Sequence, residues 1–443
     1  MWKLIPPHIW AAICVTGWGI VASCQAATTS FGGMMAARFF LGVFEAGYGP
    51  GIPFLLSFFY LRHEIGFRIG IFLSAAPLAT CFAGALAYGI TSGNDAHRIK
   101  NWRLLFLVEG LPCIIAGIAT YFALPDNAEK ATFLSEEEKQ VAKARGVRQV
   151  GDEEDDRIGH ISIKDVGFAL LDLKVNSRPL PPFPYSQPKI VSISRGRDNS
   201  ASRSASLFSF TTIKHPLTSE QNYFTALMYF SCNVSFSSLP VFLPTILSEM
   251  GFSDIQSQGL SAPPYFLAFL LTIGTTYIAD RTQQRGLTII VLSLIGASGY
   301  ILLAATSATG PRYTGVFLAA AGIFPCIGNI LPWVLNNQGS DTKRGTGIAI
   351  LNLVGQCGPL LGTRIYPGQD SPYYRMGMWV CAGFMLFNGL LALLLRILLA
   401  WENKVLDEKF GVVARVDGNG YVDGKEEPGV GDENDGPRFR YVL

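Results

Sequence analysis

Two ionisable residues of opposite charge, Arg38 and Glu45, lie within an apolar stretch that runs from residue 31 to residue 59. Positions i, i+4, i+7 and i+11 share one face of an α-helix, and this spacing is that of Arg38, Gly42, Glu45 and Gly49. An ionisable side chain at the centre of a membrane helix costs at least about 2.5 kcal/mol, so it faces a partner or a watery cavity. We therefore predict a functional site here; the alternative is a structural ion pair.

The chain after Glu45 is predicted to bend. Residues 49–53 read Gly-Pro-Gly-Ile-Pro, which removes backbone donors and frees φ at the glycines. A half-helix beginning near Pro53 would point its positive end back toward the charged pair and favour an anion, whereas a simple proline kink would not. Glu109, in the apolar run WRLLFLVEG, is a second intramembrane acid. It is interpreted either as a proton relay or as a packing residue near the membrane interface.

Polar and aromatic side chains also recur on single helix faces further along the chain. The sets with helical spacing are Tyr229, Asn233 and Phe236, then Asn329, Trp333 and Asn336, and then Asn352 and Gln356. Amide and aromatic groups suit a planar or ureido-type acid, through hydrogen bonding and stacking. The alternative is hydrogen bonding between helices, worth about 0.6 kcal/mol on average in membranes.

The composition indicates a membrane protein. Of 443 residues, 49% are hydrophobic and 15% are charged, compared with about 25% charged in a typical soluble domain. The 35 basic and 33 acidic residues are nearly balanced, which argues against a nucleic-acid partner. The eight cysteines are scattered without metal-ligand spacing, so neither a metal site nor a cofactor is predicted.

The apolar runs predict an all-α polytopic fold with about ten membrane helices, in a block of four and a block of six. Each run is long enough to cross a bilayer core, which needs about 20 residues. They lie at about 8–27, 31–59, 69–91, 103–123, 223–247, 262–280, 287–306, 313–335, 346–365 and 376–400. Positive residues in the short connections place both termini in the cytoplasm. These residues are Lys3, Arg62, Arg68, Arg281, Arg285, Lys343, Arg344, Lys404 and Lys409.

Several long motifs resemble one known family. They are ARFFLGVFEAGYGPGIPFLLSFFYLRHEIGFRIG, NWRLLFLVEGLP, NYFTALMYFSCNVSFSSLPVFLPTIL and GTGIAILNLVGQCGPLLGTRIYP. They are similar to the fungal anion:cation symporters of the major facilitator superfamily, the allantoate and nicotinate permeases, and most of all to the nicotinic acid permease branch. Because that superfamily has six plus six helices, the resemblance implies that the first two helices are absent.

The resemblance implies symport of a small carboxylate with protons across the plasma membrane. In that mechanism Arg38 binds the carboxylate, and Glu45, with Glu109, takes up and releases the coupling proton. IADRTQQRG, which contains Asp280, Arg281 and Arg285, resembles the cytoplasmic loop motif whose charges hold the helices in one conformation. Ordinary positive-inside loop charge is the alternative explanation for that motif.

The pattern of spans gives four regions: a truncated four-helix bundle over 1–124, a cytosolic linker over 125–221, a six-helix bundle over 222–403 and a cytosolic tail over 404–443. Within the linker, Ser135 is predicted to cap a short helix. Residues 175–221 are rich in Ser, Pro and Arg without periodicity, which predicts disorder. We interpret them as a translated intron; the alternative is a flexible regulatory linker.

Three functional classes follow from these observations. The leading prediction is a proton-coupled secondary transporter for a small organic anion, such as nicotinate or allantoate. A non-transporting remnant or sensor of the same family is the alternative. A membrane-embedded enzyme is disfavoured, because no histidine lies in mid-span and no catalytic set or ATP-binding loop appears in the sequence.

Overall fold

The computed structural model describes residues 2, 4–62, 64–92, 99–150, 218–338, 341–411 and 439–443. Within these ranges the chain forms helices and turns and no strand, which confirms the predicted all-α class. The α-helices are α1 (Pro7–Gln25), α2 (Phe31–Tyr48), α3 (Gly51–Phe59), α4 (Ile65–Ser92), α5 (Asn101–Ala123), α6 (Glu136–Val150), α7 (Thr218–Glu249), α8 (Asp254–Thr282), α9 (Arg285–Ala305), α10 (Thr309–Asn336), α11 (Asp341–Gly355), α12 (Gly358–Gly362) and α13 (Arg375–Phe410).

Nine helical segments in the described part of the chain are long and apolar enough to cross a membrane, with α2 and α3 together forming one of them. The tenth predicted span, 346–365, is divided between α11 and α12 by a turn at Gln356 and Cys357. Pro359 has no amide hydrogen, so it cannot donate to the carbonyl of Gly355 as the next helical turn requires. The prediction of one continuous helix over this range was therefore wrong.

In chain order the helices form a first group, α1–α5, and a second group, α7–α13, and α4 joins the two because it packs mainly along α8 and α10. Small residues allow this close approach: a Cβ added at Gly84 would lie 2.7 Å from Ser261 Oγ. The main apolar core lies in the second group around α10. In an 18-residue apolar stretch of α10, 83% of the residues are buried, compared with 22% in such a stretch of the span formed by α2 and α3. No residue of α2 is buried. This helix therefore presents an open face along its whole length.

The helix bundle has two ends, which we call the tail face and the distal face. The tail face carries the connections α3–α4, α8–α9 and α10–α11, and residues 439–443 pack against it. The distal face carries the connections α7–α8 and α9–α10 at the other end of the bundle. Because successive helices alternate in direction, the first turn of α1 and the last turn of α5 also lie at the tail face.

The described ranges include the helix after Ser135, the end of the last helix and the last residues of the predicted insert. The Ser135 cap is confirmed, because Ser135 Oγ accepts from the Glu138 amide at 3.3 Å and Glu138 Oε2 accepts from the Ser135 amide at 2.8 Å. The last helix ends at Phe410, beyond the predicted 400. Of the predicted insert 175–221, residues 175–217 lie outside the described ranges, and 218–221 form the first turn of α7.

A buried carboxylate ties α1 to the end of α5 at the tail face. Asp126 Oδ1 lies 2.6 Å from His8 Nδ1, and Lys130 Nζ lies 3.5 Å from Asp126 Oδ2. Burial disfavours the ionised carboxylate, but the hydrogen bonds from His8 and the charge of Lys130 outweigh it and hold the pKa of Asp126 below its ordinary value. The interaction therefore stabilises the fold above the unfolded-state pKa of about 3.9 and is lost as the pH falls through the lower, folded-state pKa.

Replacing Asp126 with asparagine is expected to destabilise the protein at pH 7 by roughly 1 kcal/mol, because the site is partly solvated. The variant should also lose less stability than the wild type when the pH falls below about 4. Thermal unfolding midpoints of purified protein, recorded at several pH values, measure both effects. Glu137→Gln, which removes an exposed carboxylate of α6, is the control. Equal midpoints for Asp126→Asn and wild type at every pH would contradict the assignment.

Candidate functional site

The predicted charged face of α2 is open. Arg38 and Glu45 are both exposed. A Cβ added at Gly42, between them, would have no other atom within 4 Å. The Arg38 guanidinium lies 5.6 Å from the centre of the Phe106 ring in α5. Glu109 is one turn further along α5, is also exposed, and lies within electrostatic range of Arg38. The structure thus brings Arg38 of α2 near Phe106 and Glu109 of α5.

Glu45 lies toward the second group of helices, within electrostatic range of Tyr229 in α7. Along α2, the seven residues from Arg38 to Glu45 correspond to about 10 Å at 1.5 Å per residue. Two pairs of predicted site residues thus come within electrostatic range of each other, Arg38 with Glu109 and Glu45 with Tyr229.

The Gly-Pro segment after Glu45 forms a break between α2 and α3 and does not unwind. Gly49 and Pro50 keep helical angles, with φ −53° and ψ −56° at Gly49 and φ −69° and ψ −24° at Pro50. The Gly49 amide still donates to the Glu45 carbonyl at 2.8 Å. Pro50 and Pro53 have no amide hydrogen, so the helical hydrogen bonding is broken between α2 and α3. A separate helix thus begins at Gly51, close to the predicted Pro53, and the backbone angles before it stay helical.

Two tryptophans that the sequence did not suggest support this break. Trp2 Nε1 and Trp10 Nε1 both donate to the carbonyl oxygen of Gly47, at 2.8 and 3.1 Å. An added Cβ at Gly51 would overlap the Trp2 ring, so a glycine is needed there for this close contact. The break is therefore fixed by indole donors from the start of the chain and from α1. Sequence periodicity carries no signal for such a contact, since it joins different elements.

Tyr229 and Asn233 lie against the interruption between α11 and α12. Asn233 Nδ2 donates to the Gly355 carbonyl at 3.1 Å, which is the acceptor that Pro359 leaves without an amide partner. The Tyr229 ring packs directly on Gly355. Gln356 is exposed in the turn that follows. These predicted residues therefore come together at a discontinuous helix, where backbone polar groups are accessible in mid-span.

The other predicted residues of the second group are further apart. The Phe236 ring packs edge-on against Phe324 at 4.9 Å. Asn329 is fully buried, and its Nδ2 donates to the Pro325 carbonyl at 2.9 Å and to Thr275 Oγ1 at 3.4 Å. Asn352 Nδ2 donates to the Ile348 carbonyl of its own helix at 2.9 Å. Asn329 thus makes one hydrogen bond between helices, to Thr275, whereas Asn352 bonds within its own helix.

Trp333 and Asn336 lie at the tail face, away from Asn329, although all three share a helix face. Trp333 Nε1 donates to the Val442 carbonyl at 2.8 Å. The carbonyl of Asn336 accepts from Arg62 Nε in the α3–α4 connection. The three residues share a face of α10, as their spacing predicts. Asn329 lies about two turns before the end of that helix, so it is separated from Trp333 and Asn336 along the helix axis.

The charged loop motif joins the two groups of helices. Asp280 Oδ1 pairs with Arg285, which is fully buried, and Asp280 Oδ2 accepts from the Phe67 amide in the first turn of α4. Arg281 instead turns outward, where its Nε donates to Tyr277 Oη at 3.2 Å. Two of the three predicted residues thus hold the start of α4 against the end of α8.

A buried polar cluster in the second group was not predicted. Asn388 Nδ2 donates to Ser293 Oγ at 2.7 Å and lies 3.1 Å from Cys326 Sγ, which is 3.5 Å from Cys232 Sγ. Its members come from α7, α9, α10 and α13. Each is an isolated polar or thiol residue in an apolar run, so no sequence pattern groups them. Among the described residues, no cluster of three His, Cys, Asp or Glu side chains could hold a metal.

Comparison with known proteins identifies the fold and the family. The sequence profile of the Major Facilitator Superfamily matches residues 3–363. The MFS transporter prlL of Fungal sp. (strain NRRL 50135) is 30% identical over 91% of this chain and 72% of its own length. The MFS-type transporter cnsO of Penicillium expansum is 28% identical over 100% of this chain and 77% of its own length.

A solved structure has the same architecture. The proton:xylose symporter XylE superposes with a TM-score of 0.58 at 12% identity, over 91% of this chain and 79% of that protein. At this identity the likeness concerns the fold alone. The matched relatives are transporters and not enzymes. The profile match, the sequence relatives and the helical architecture agree, and this chain is a multi-pass membrane protein of the major facilitator superfamily.

Proposed function

We propose that this transporter takes up a small organic carboxylate together with protons, as in the anion:cation symporters that its motifs resemble. The observation that carries the proposal is the placement of ionisable side chains in the membrane segments. Arg38 lies beside Phe106 and within electrostatic range of Glu109, and Glu45 lies within electrostatic range of Tyr229. Ionisable groups in a membrane segment mark substrate and ion pathways. Nicotinate and allantoate are the substrates to test first, because the motif resemblance favours them.

Arg38 is the proposed carboxylate ligand. Its planar guanidinium can bind a carboxylate through two parallel hydrogen bonds, and the Phe106 ring beside it holds the group in position. An aromatic acid bound there would also be close to that ring. Because Glu109 is within electrostatic range of the same guanidinium, substrate and Glu109 compete for one positive charge. Binding of the anion would therefore favour protonation of Glu109.

Glu45 is the proposed coupling acid. It lies within electrostatic range of Tyr229, which packs on Gly355 beside the interrupted helix, so its protonation would alter an interaction between the two groups of helices. The region around Tyr229 is proposed to be lined by Asn233, Asn352 and Gln356. The further proposed substrate contacts, which remain to be tested, are Phe236, Asn329, Trp333 and Asn336. Asp280 and Arg285, with Arg281 beside them, are the proposed gate between the groups.

The tail face is proposed to be cytoplasmic and the membrane to be the plasma membrane. The described tail face carries Arg62, Arg68, Arg281 and Lys404, as the positive-inside rule expects. With this orientation, α1–α5 and α7–α13 are the proposed transport bundles, within 1–124 and 222–403, and the residues between them are a cytosolic linker.

Uptake of radiolabelled nicotinate into proteoliposomes tests the coupling. With an acidic exterior, uptake should be faster than at equal pH, and Glu45→Gln should remove that difference because glutamine cannot titrate. Glu137→Gln, on the exposed α6, should behave as wild type. Nicotinate uptake that is indifferent to pH would contradict coupling, and pH-stimulated uptake by Glu45→Gln would contradict the role of Glu45. Allantoate and other carboxylates are then tested in the same way.

A further inference from the structure

Residues 439–443 occupy a groove at the tail face, which we call the tail groove; its walls are Arg62, Gly286, Trp333, Asn337 and Asn403. The segment forms neither helix nor strand, and Phe439 and Tyr441 are only 2% and 3% exposed. Two large aromatic residues of a polar terminal region are thus buried against the membrane helices. This contact is independent of the proposed carboxylate ligand and coupling acid.

Two asparagines bind the backbone of the segment in the same way. Asn337 Oδ1 accepts from the Val442 amide at 2.8 Å and its Nδ2 donates to the Val442 carbonyl at 3.0 Å. Asn403 Oδ1 accepts from the Tyr441 amide at 2.8 Å and its Nδ2 donates to the Tyr441 carbonyl at 2.9 Å. Each side-chain amide therefore satisfies both polar groups of one residue.

The geometry of an extended chain explains why two asparagines are needed. Successive residues of an extended segment direct their amide and carbonyl groups to opposite sides. Tyr441 and Val442 are consecutive, so one is bound from α13 by Asn403 and the next from the end of α10 by Asn337. Such a double contact selects an extended backbone and would not be formed by a helical one.

Further contacts fix the register of the segment. Trp333 Nε1 donates to the Val442 carbonyl at 2.8 Å, and the Gly286 amide donates to the Leu443 carbonyl at 3.2 Å. Arg440 Nε pairs with Asp407 Oδ1 at 2.7 Å. All of these partners belong to the second group of helices, so the segment is anchored on that group.

One residue connects the bound segment to the first group. Arg62, between α3 and α4, donates to the Arg440 carbonyl at 2.7 Å, and its guanidinium lies 4.2 Å from the centre of the Phe439 ring. It also donates to the Asn336 carbonyl at the end of α10. Part of what holds Arg62 against the second group is therefore the segment itself.

We propose that the tail groove is a binding site for an extended peptide, that residues 439–443 are its ligand, and that the bound segment holds the two groups of helices together at the tail face. Release of the segment would remove the Arg440 carbonyl and the Phe439 ring from Arg62, which weakens contact between the groups. The tail face would then open more often. Any partner that competes for the segment would act on the transporter through this site.

Hydrogen exchange on the full chain in lipid nanodiscs tests the proposal without any transported substrate. In the wild type, the Tyr441 and Val442 amides should exchange slowly, since both are hydrogen bonded. Asn403→Ala and, separately, Tyr441→Ala should each speed exchange of residues 439–443 by about tenfold. Both variants should also speed exchange around Phe67, whose amide donates to Asp280 of the other group.

Lys404→Ala, at the exposed position next to Asn403, is the matched control and should exchange as the wild type does. Exchange of residues 439–443 in the wild type at the rate of an unstructured peptide would show that the groove is not occupied. Faster exchange of 439–443 in both variants, with no change around Phe67, would show that the segment does not hold the groups together. Tyr441→Ala changes only the ligand, so it separates loss of the contact from damage to the helices.

Discussion

Arg38→Ala is expected to raise the half-saturating concentration for carboxylate uptake by roughly 10- to 100-fold, the range that follows from losing a charge-assisted hydrogen-bonded pair. The fold should tolerate the change, because no residue of α2 is buried. Arg38→Lys should recover part of the affinity, since it restores the charge without the planar pair of donors. Initial uptake rates over a range of nicotinate concentrations measure the effect.

The control for this prediction removes a positive charge elsewhere. Arg364 is exposed in the connection between α12 and α13, so Arg364→Ala should keep the wild-type concentration dependence. A second variant, Phe106→Leu, removes the ring beside the guanidinium and should weaken binding less than Arg38→Ala does. An unchanged half-saturating concentration in Arg38→Ala would exclude this residue as the carboxylate ligand.

Gly358→Ala is expected to destabilise the protein strongly. The added Cβ would lie 2.6 Å from the Phe230 carbonyl oxygen, and the backbone of α7 cannot move aside as a flexible side chain could. Overpacking of this kind costs about 1–3 kcal/mol. It should also displace the turn at Gln356, which is the mid-span interruption that the proposed transport path uses. The thermal unfolding midpoint and the yield of folded protein in detergent measure the first effect.

A matched glycine gives the opposite expectation. Gly383, inside α13, has no atom within 4 Å of an added Cβ, so Gly383→Ala meets open space. Alanine is the better helix former by about 1 kcal/mol, and this variant should be as stable as the wild type or more so. A Gly358→Ala protein that unfolds at the wild-type temperature would contradict the close packing of α12 on α7.

Much of the architecture could be predicted from the sequence because its signals are long and local. Nine of the ten predicted apolar runs correspond to long apolar helices in the described part of the chain, and the all-α class is confirmed there. Helical spacing correctly places Arg38 and Glu45 on one open face, and the Ser135 cap depends on residues three positions apart. The major facilitator superfamily could be recognised from motifs such as RFFLGVFEAGYGPG for the same reason.

The remaining features depend on contacts between distant elements. The run ILNLVGQCGPLLG is apolar enough to read as one helix, and its interruption is stabilised by Asn233, more than 100 residues earlier. Trp333 was predicted to bind substrate, but its donor reaches the Val442 carbonyl. Periodicity gives the face of a helix and carries no information on which segment fills the space beside it. The burial of Phe439 and Tyr441 was likewise not predicted, because many charged residues precede them in the tail.

The hydrogen bond from Asn233 to Gly355 has a consequence for how this protein can evolve. The bond occupies the acceptor that Pro359 cannot reach, although the two residues lie in different helices. Loss of the amide at 233 alone is expected to leave a buried carbonyl without a donor, and a residue with an amide hydrogen at 359 should reduce that loss. We therefore expect substitutions at the two positions to be non-additive, so that the effect of one depends on the other.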